Sequence, residues 1–281
     1  MSNPIVSIIL STYNWNHDWL SLAIDSVLNQ SFVDFELIII NDCSKNDIEK
    51  TILMYKEKDS RIVYIKNEIN LRLTKSLNKG IEESKWKYIA RIDDDDIWCD
   101  KEKLKKQVDF MEQNPDYWLC GTQVIFIDEN WKELERIKNP TSDKDIKKSI
   151  LFGCKFFHSS VIIRKKALEE VWVYSSDWDY SEDHELWLRI WTKYKLHNLD
   201  DFALLYRINQ NGICFTNSFK QRKSGIILVN KYKSYYPNYI LAQIYSIWLL
   251  VFKSFTLFLR KIKIYNLIFP IYKKIEKVIM K

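Results

Sequence analysis

The chain has 281 residues, with 43 Lys and Arg against 37 Asp and Glu, and five Cys. This length allows one large domain with a sizeable core, or one domain with an appendage. The cysteines are widely spaced and form no CxxC pair, which argues against a disulfide framework or a zinc site. The first residues show no basic segment followed by an apolar stretch of signal type, so we expect a cytoplasmic protein.

The charge is unevenly distributed along the chain. The net charge is +6, but from Lys220 onward thirteen Lys and Arg stand against one acid, Glu276. The preceding part is therefore acidic. We expect a main domain over residues 1–219 and a basic, aromatic, helical extension over residues 220–281.

Strand-like and helix-like segments alternate in the first half of the chain. Apolar runs rich in β-branched residues predict buried strands, and amphipathic runs predict helices between them. Asp18 is expected to cap the first helix. Repeated alternation with short connections predicts a doubly wound, Rossmann-like, mostly parallel α/β sheet. The predicted strands are 5–10, 35–40, 62–66 and 88–92, and the predicted helices are about 19–29, 47–56 and 73–84.

The second half of the chain is less regular. Ser181 is placed to cap a helix whose first turn contains Glu182 and Asp183. The apolar residues that follow have helical spacing and are expected in the core. Before this helix, the sequence predicts a helix at about 101–114, a strand at 117–128, a helix at 143–152 and a short strand at 160–164.

Four consecutive carboxylates at residues 93–96 follow the predicted strand at 88–92. Adjacent negative charges repel one another, so a fold gains no stability by placing them together at a strand end. A cation such as Mg²⁺ or Mn²⁺ offsets this repulsion, because it binds carboxylate and phosphate oxygens. The pattern favours a metal–phosphate site, and a solvated acidic loop is the alternative.

Polar residues follow three of the predicted strands. Thr12, Tyr13 and Asn14 come after the first strand, Asp42 after the second, and the four carboxylates after the fourth. In doubly wound sheets, ligands bind beyond the carboxyl ends of the strands. We therefore expect these three loops to converge on one ligand site.

Four stretches of the chain carry a family likeness: residues 6–14, 36–44, 78–96 and 181–189. Together they resemble the motifs of the family 2 glycosyltransferases, inverting nucleotide-sugar transferases with the GT-A fold. The resemblance covers about residues 4–210. Two positions depart from it: the chain reads Asn70-Leu71-Arg72 where relatives often have an N-x-G turn, and it has Asn209 where they often have His.

The resemblance implies roles for individual residues on the donor side. The loop of Thr12, Tyr13 and Asn14 would contact the nucleotide, and Asp42 the base, where a carboxylate suits the imide N–H of uracil or thymine. A helix cap is the alternative for Asp42. In the acidic run, Asp95 would bind the metal. Asp93 would contact the ribose or a metal-bound water and is also counted as a metal ligand. Asp94 is placed with the donor-binding residues, but on an extended chain Asp94 and Asp96 point to the side opposite Asp93 and Asp95, which suits an orienting role.

The resemblance also implies a catalytic base. Asp183 is the first choice and Glu182 the second, because a carboxylate can take the proton of an attacking hydroxyl. The alternative is that both residues only complement a helix dipole. His158, between aromatic residues, is expected at the diphosphate or the acceptor, with a hydrogen-bonded core role as its alternative.

Residues 239–259 are mostly apolar, with Gln243 and Lys253 as interruptions and basic residues on both sides. We expect this segment to lie on an anionic membrane surface, so that the protein is peripheral on the inner face of the cell membrane. Ordinary helical packing and a true span are the alternatives. No nucleic-acid motif accompanies the basic charge. The aromatic residues expected at the lipid headgroups are Trp248, Phe252, Phe255 and Phe258.

The sequence thus predicts an inverting glycosyltransferase. It would move a sugar from a UDP- or dTDP-sugar to a hydroxyl of a glycan or lipid-linked acceptor, with Mn²⁺ or Mg²⁺ as cofactor. Two alternatives stay open: a metal-dependent phosphohydrolase with an aspartyl nucleophile, and a non-catalytic, nucleotide-sugar-binding membrane adaptor.

Overall fold

A computed structural model describes residues 5–14, 16–178, 180–209 and 216–261, with side chains as far as Val251. The described residues form one nine-stranded sheet with helices packed against it. The strands are β1 (Val6–Thr12), β2 (Phe35–Asn41), β3 (Ile62–Lys66), β4 (Tyr88–Asp93), β5 (Ile97–Trp98), β6 (Tyr117–Ile127), β7 (Glu133–Ile137), β8 (Ile162–Arg164) and β9 (Lys195–Arg207). The helices are α1 (His17–Leu28), α2 (Ile48–Lys58), α3 (Arg72–Glu83), α4 (Lys103–Gln113), α5 (Asp143–Ser149), α6 (Lys165–Val171), α7 (Glu182–Trp191), α8 (Ser218–Lys231) and α9 (Tyr239–Lys261).

The sheet order confirms the predicted doubly wound, mostly parallel architecture. Strands β3, β2, β1 and β4 lie side by side and are parallel to one another. Strand β8 is antiparallel to both β4 and β6, and β9 runs parallel to β6. The short strands β5 and β7 are antiparallel to β9 and β6. Most strands therefore point in one direction, and their carboxyl ends share one edge.

The central strands are buried on both faces, as their continuous apolar runs predict. Every residue of β2 is buried. Alternate side chains enter opposite cores: Ile38 and Ile40 belong to one apolar cluster, while Leu37 and Ile39 belong to the other. This alternation follows from the two-residue period of a strand.

Two helix caps differ from the sequence expectation. The cap of α1 is Asn16, whose side chain accepts hydrogen bonds from the backbone N–H groups of Asp18 and Trp19, so the prediction of Asp18 as the cap is wrong. Asn and Asp are equally good caps, and the chain enters the helix earlier than the apolar pattern indicates. Ser181 does lie at the cap position of α7, but its side chain makes no capping hydrogen bond.

Strand β9 was not predicted, although it is 13 residues long. Asp200 and Asp201 interrupt its apolar residues, and its pairing with β6 has several register shifts. A strand of this kind shows no steady two-residue alternation, because its bulges change which side chains face the core. The predicted strand at 160–164 is shorter than expected, since residues 158–160 form a 3₁₀ turn before β8.

Helix α8 and the turn after it contact the main domain. The Tyr232 hydroxyl donates to Glu185 Oε1 at 2.7 Å, and the Tyr236 hydroxyl donates to the carbonyl of Leu188 at 2.5 Å. The Tyr236 ring also stacks on Trp191 at 4.7 Å. The boundary at residue 219 stays a prediction.

Across the part of the chain that the structure describes, no helix combines the length and the apolarity needed to cross a bilayer. The described part of α9 includes Trp248, which stacks on Tyr245. Three of the aromatic residues expected at lipid headgroups, Phe252, Phe255 and Phe258, lie outside the described side chains.

Two helical glycines provide a matched test of the packing. A Cβ on Gly80 of α3 would lie 2.8 Å from both Ile40 Cδ1 and Ile9 Cγ2, whereas a Cβ on Gly225 of α8 would meet no atom within 4 Å. Alanine favours a helix over glycine by about 0.5–1 kcal/mol. In urea denaturation we expect G225A to gain about that much unfolding free energy and G80A to lose about 1–3 kcal/mol through overpacking. An equal gain in both variants would contradict the close packing of α3 on the sheet.

Candidate active site

Three loops meet at one edge of the sheet, as predicted. In the strand register Thr12 pairs with Asn41, and Ser11 pairs with Asp93, so β1, β2 and β4 end side by side. The backbone N–H of Asp42 donates to the carbonyl of Thr12 at 2.9 Å. The acidic run therefore lies next to the loops that follow the first two strands.

The acidic turn (residues 93–96) links β4 to β5 and is held by neighbours on both sides. The Ser159 hydroxyl donates to Asp93 Oδ2 at 2.9 Å and accepts from the Asp93 backbone N–H at 3.0 Å. Asp96 is buried, and its Oδ1 accepts from the backbone N–H of Arg207 at 3.1 Å. Asp96 therefore orients the turn, as its parity predicts.

Arg91 is the buried positive charge of this site. It is 4% exposed, lies on the same face of β4 as Asp93, and forms an ion pair with that carboxylate. Burial alone would lower the pKa of Arg91, but the charges of Asp93, Glu182 and Asp183, with the Tyr174 hydroxyl, raise it above its usual value. The guanidinium therefore faces carboxylates from two distant parts of the chain. Sequence reasoning gave Arg91 no role, although an arginine inside an apolar strand signals a buried charge that needs a partner.

The carboxylates of the acidic turn are hard to ionise together. Burial, followed by the charge of Asp93, raises the pKa of Asp95 to about 7, against the opposing charges of Arg207 and Arg91. Burial and the charge of Asp95 raise the pKa of Asp94 well above its usual value, although Thr12 beside it favours the ionised form. The turn is therefore hard to ionise fully, mainly because its carboxylates are buried close together.

Glu182 and Asp183 begin helix α7, close enough to Arg91 for their charges to raise its pKa. Burial and the charge of Asp183 raise the pKa of Glu182 to about 7. Burial also raises the pKa of Asp183, while hydrogen bonding from the His184 backbone N–H and the charge of Arg91 oppose this rise. Glu182 is 7% exposed and Asp183 is only partly buried, so Asp183 is the more accessible carboxylate.

Arg207 also holds the acidic turn in place. Its guanidinium lies between the rings of Trp19 and Trp131, at 4.6 and 4.3 Å from their centroids. Its Nε donates to the backbone carbonyl of Asp95 at 3.2 Å, and Nη1 donates to the carbonyl of Asp128 at 3.3 Å. Stacking on two aromatic faces orients the charge and limits its contact with water. The sequence contains no local signal for this arrangement, because its members come from α1, β9 and the β6–β7 hairpin.

Asp42 is buried and is not a helix cap, which removes the alternative considered for it. Its Oδ1 accepts from the Asn67 side-chain amide and from the Leu71 backbone N–H, both at 2.8 Å, and the residue at the cap position of α2 is Asp47. Asp42 therefore ties the end of β2 to the loop before α3. The turn in that loop keeps its shape without glycine, because Arg72 takes a left-handed conformation (φ 66°) and its N–H donates to Asn70 Oδ1.

The loop after β1 is also fixed to its neighbour. Asn14 has a φ of 51°, its Oδ1 accepts from the Lys45 backbone N–H at 2.6 Å, and its own N–H donates to Ser44 Oγ at 3.0 Å. Tyr13 is 41% exposed beside it, and Thr12 is buried. The Tyr13 ring and the Asn14 side chain are thus both exposed in this loop.

His158 is partly buried near Arg91. Its Nε2 and the Tyr174 hydroxyl are hydrogen bonded at 2.6 Å, and its ring meets Trp187 edge to face. Burial and the charge of Arg91 lower the pKa of His158 well below its usual value, so the ring is neutral near pH 7. Asn78 exchanges two hydrogen bonds with the backbone of Tyr174 and thereby holds this pair in place.

No three His, Cys, Asp or Glu side chains in the described ranges are grouped as a protein-only metal cage. The donor chemistry at the acidic turn nevertheless fits a hard cation, because Asp95 and its neighbours are carboxylates, and burial and one another's charge raise their pKa values. Mg²⁺ is typically held by one or two carboxylates together with substrate phosphates. The residues present therefore fit a metal shared with a bound diphosphate.

Comparisons with known proteins agree with this geometry. Residues 7–172, more than half of the chain, match the family described as Glycosyl transferase family 2. The chain is 38% identical over 211 residues to an uncharacterized glycosyltransferase of Methanocaldococcus jannaschii, covering 74% of this chain and 72% of that protein. It is 34% identical over 211 residues to the O-antigen biosynthesis glycosyltransferase WbnJ of Escherichia coli, covering 73% and 80%.

Two solved structures share the fold. One is S. aureus TarS 1-349 in complex with UDP-GlcNAc, with a TM-score of 0.62, 16% identity, and coverage of 80% of this chain and 66% of that chain. The other is the mannosyltransferase PcManGT from Pyrobaculum calidifontis in complex with GDP-Man and Mn²⁺, with a TM-score of 0.65, 12% identity, and coverage of 90% and 76%. These likenesses confirm the predicted GT-A fold.

The raised pKa of Glu182 gives a stability test of the site. Its pKa is about 7 against the usual 4.5, so the unfolded chain ionises first and wild-type stability falls as pH rises from 4.5 to 7. We expect E182Q to be more stable than wild type at pH 8, by at most about 3 kcal/mol, and similar to it at pH 4.5. Urea denaturation at both pH values measures this, with the exposed Glu57→Gln as control. A less stable E182Q at pH 8 would show that Glu182 is not electrostatically strained.

Proposed function

The chain belongs to glycosyl transferase family 2, and from that premise we propose that it transfers a sugar from a UDP- or dTDP-sugar to an acceptor hydroxyl with inversion at the anomeric carbon. The observation that carries this proposal is the meeting of two acid groups around Arg91. Asp93 comes from the end of β4, while Glu182 and Asp183 begin α7, and all three act on the same guanidinium. A donor-binding acid group thus lies beside a candidate base.

Asp42 supports the choice of nucleotide. Its Oδ1 is engaged by Asn67 and Leu71, which hold the carboxylate at the end of β2. A fixed carboxylate there is suited to accept the imide N–H of uracil or thymine, which cytosine lacks. The exposed Tyr13 ring beside it is suited to stack on the base. Neighbouring structures hold UDP-GlcNAc and GDP-Man, so the nucleotide preference rests on Asp42 alone.

Asp95, with Asp93, would hold Mn²⁺ or Mg²⁺ together with the donor diphosphate. When bound, the cation neutralises the negative charge that grows on the departing nucleoside diphosphate. The protein contributes the orientation. Ser159 holds the Asp93 carboxylate, and Arg207 holds the backbone of Asp95, so the turn that carries both carboxylates is positioned before the donor binds.

Asp183 acts as the general base, with Glu182 as the second candidate. The acceptor oxygen forms a bond to the anomeric carbon as the bond from that carbon to the β-phosphate oxygen breaks, and the acceptor proton goes to the carboxylate. A base with a pKa near the working pH serves this transfer best. Arg91 favours the ionised form of both carboxyls and so limits the rise in pKa that their burial causes.

The acceptor is proposed to be a growing glycan or a lipid-linked precursor. The relative WbnJ is named for O-antigen biosynthesis, and AmsE of Erwinia amylovora, 30% identical over 225 residues, for amylovoran biosynthesis. Both names support a role in polysaccharide biosynthesis. The family assignment favours this reading over the phosphohydrolase and adaptor alternatives.

The metal assignment predicts a selective loss of donor affinity. We expect D95N to bind UDP at least tenfold more weakly than wild type when Mn²⁺ is present, and to differ little from wild type in EDTA. Calorimetric titration with UDP measures both conditions. The exposed Asp116→Asn is the matched control, and equal affinities of D95N and wild type with Mn²⁺ would refute the assignment.

The base assignment predicts separation of binding from transfer. We expect D183N to keep UDP binding and to lose sugar transfer by about 10²–10⁴-fold, the usual contribution of a general base. E182Q should lose less, and the reverse order would exchange the two roles. Proton NMR of the product should show inverted anomeric configuration, and retention would contradict a single displacement.

An apolar stripe on α9 supports peripheral attachment to the membrane. Ile240, Ile244, Ile247 and Val251 are each about half exposed or more and repeat at helical spacing along one side. Lys231 and Lys233 are exposed just before this helix. An apolar stripe beside basic residues is typical of helices that lie in the interface of anionic bilayers. We assign this stripe to the inner face of the cell membrane.

Flotation with liposomes tests the attachment. We expect the full chain to float with liposomes rich in anionic lipid, and I244D/I247D to stay largely in solution because it places charge on the stripe. L134D is the matched control, since Leu134 is 50% exposed on β7. Equal flotation of the double variant and wild type would exclude the stripe as the contact.

A further inference from the structure

A cavity of about 290 Å³ lies between the main domain and the two C-terminal helices. Its walls come from the 3₁₀ turn at residues 150–152, from His184 near the start of α7, and from the facing sides of α8 and α9. Ligand sites in proteins are commonly of about 300 Å³ or more. The cavity therefore has room for a sugar phosphate or a lipid headgroup, which is far more than a single water needs.

Arg222 gives the cavity a positive charge. Arg222 lines it, and the Arg222 Nε is buried without a hydrogen-bond partner in the described parts of the chain. Among the described residues that line the cavity, Arg222 carries the only formal charge, so the lining suits an anionic ligand.

Two glycines leave the space open. Gly153 and Gly225 both line the cavity, and a Cβ on either would meet no atom within 4 Å. Gln221, Ser218 and Ser246 add polar groups, while Leu249 adds apolar surface. The lining thus combines a few polar groups with apolar walls, which is the usual composition of a small-molecule site.

The cavity is adjacent to the candidate base. His184 directly follows Asp183, and Gly153 directly precedes Cys154, whose thiol pKa is raised by burial and by the charge of Asp183. Two lining residues, Gly153 and His184, are thus chain neighbours of Cys154 and of the candidate base. None of the described lining residues comes from the loops after β1 and β2, which are the candidate nucleotide loops.

We propose that this cavity binds a phosphate or diphosphate group of the acceptor, with Arg222 as its principal contact. The proposal rests on the proposed function and extends it, because it assigns the acceptor a charge and a place. A guanidinium recognises phosphate oxygens through charge-assisted hydrogen bonds. The acceptor class is thus an anionic glycosyl phosphate, either free or attached to a lipid.

The position of α9 makes a lipid-attached acceptor compatible with this site. Ser246 and Leu249 face the cavity, whereas Ile244, Ile247 and Val251 are exposed on the other side of the same helix. One helix, about 10 Å across, therefore separates the cavity from the apolar stripe. A phosphate held in the cavity lies within a short distance of the proposed membrane surface.

Calorimetry with two phosphate probes and three leucine variants tests the assignment. The probes are glucose 1-phosphate and dodecyl phosphate, the latter below its micelle concentration. R222L removes the contact, G225L fills the open space, and K223L removes an exposed charge on the same helix as control. We expect R222L and G225L to weaken probe binding about tenfold or more, and K223L to change it less than twofold.

The outcomes are distinct. Tighter binding of dodecyl phosphate than of glucose 1-phosphate supports a lipid-attached acceptor, and similar binding of both supports a free glycosyl phosphate. Unchanged binding in R222L and G225L, or binding of neither probe by wild type, overturns the proposal. Thermal melting confirms that each variant is folded. Titration of wild type with UDP and Mn²⁺ distinguishes failure of the cavity proposal from failure of the proposed function. If UDP does not bind in the presence of Mn²⁺, the proposed function itself has failed.

Discussion

The buried guanidinium of Arg91 is the interaction on which the site depends. It neutralises the charge of Asp93 at the end of β4 and partly offsets the charges of Glu182 and Asp183 at the start of α7. These two acidic segments are far apart in the sequence. A buried charge is tolerated only when it is paired, so the arginine and its acids must assemble together. Loss of Arg91 would leave several buried carboxylates without compensation. The same contact therefore links the fold to the placement of the candidate base.

One arginine does not balance all of these acids. The pKa values of Asp95 and Glu182 are both about 7, although Arg91 acts on each and Arg207 acts on Asp95. This residual negative charge is a cost to folding that the free protein bears. It is consistent with a site organised for a cation and a diphosphate at one end and for a proton at the other. Burial is the largest cause of both raised pKa values, and the charge of a neighbouring carboxylate comes next.

Sequence reasoning recovered the parts of this arrangement that have a local signal. The predicted strand at 62–66 has the bounds of β3, and the polar loops after β1, β2 and β4 meet as expected because parallel strands end at one edge. The roles of Arg91 and Arg207 were missed, as was strand β9. Each depends on partners brought from distant segments, such as the Trp19 and Trp131 rings around Arg207. Residue spacing in the sequence does not predict such contacts. They become visible only when strand order and side-chain burial are known.

Proton release on donor binding tests the central claim most directly. Calorimetric titration of the protein with preformed Mn²⁺–UDP, in buffers of different ionisation enthalpy at pH 6.5, counts the protons exchanged. Because the pKa of Asp95 is about 7, a cation bound there should displace its proton. The account predicts net release of about half a proton or more by wild type and less by D95N. Tight binding without proton exchange would contradict the account, because Asp95 would then already be ionised at pH 6.5 in the free protein.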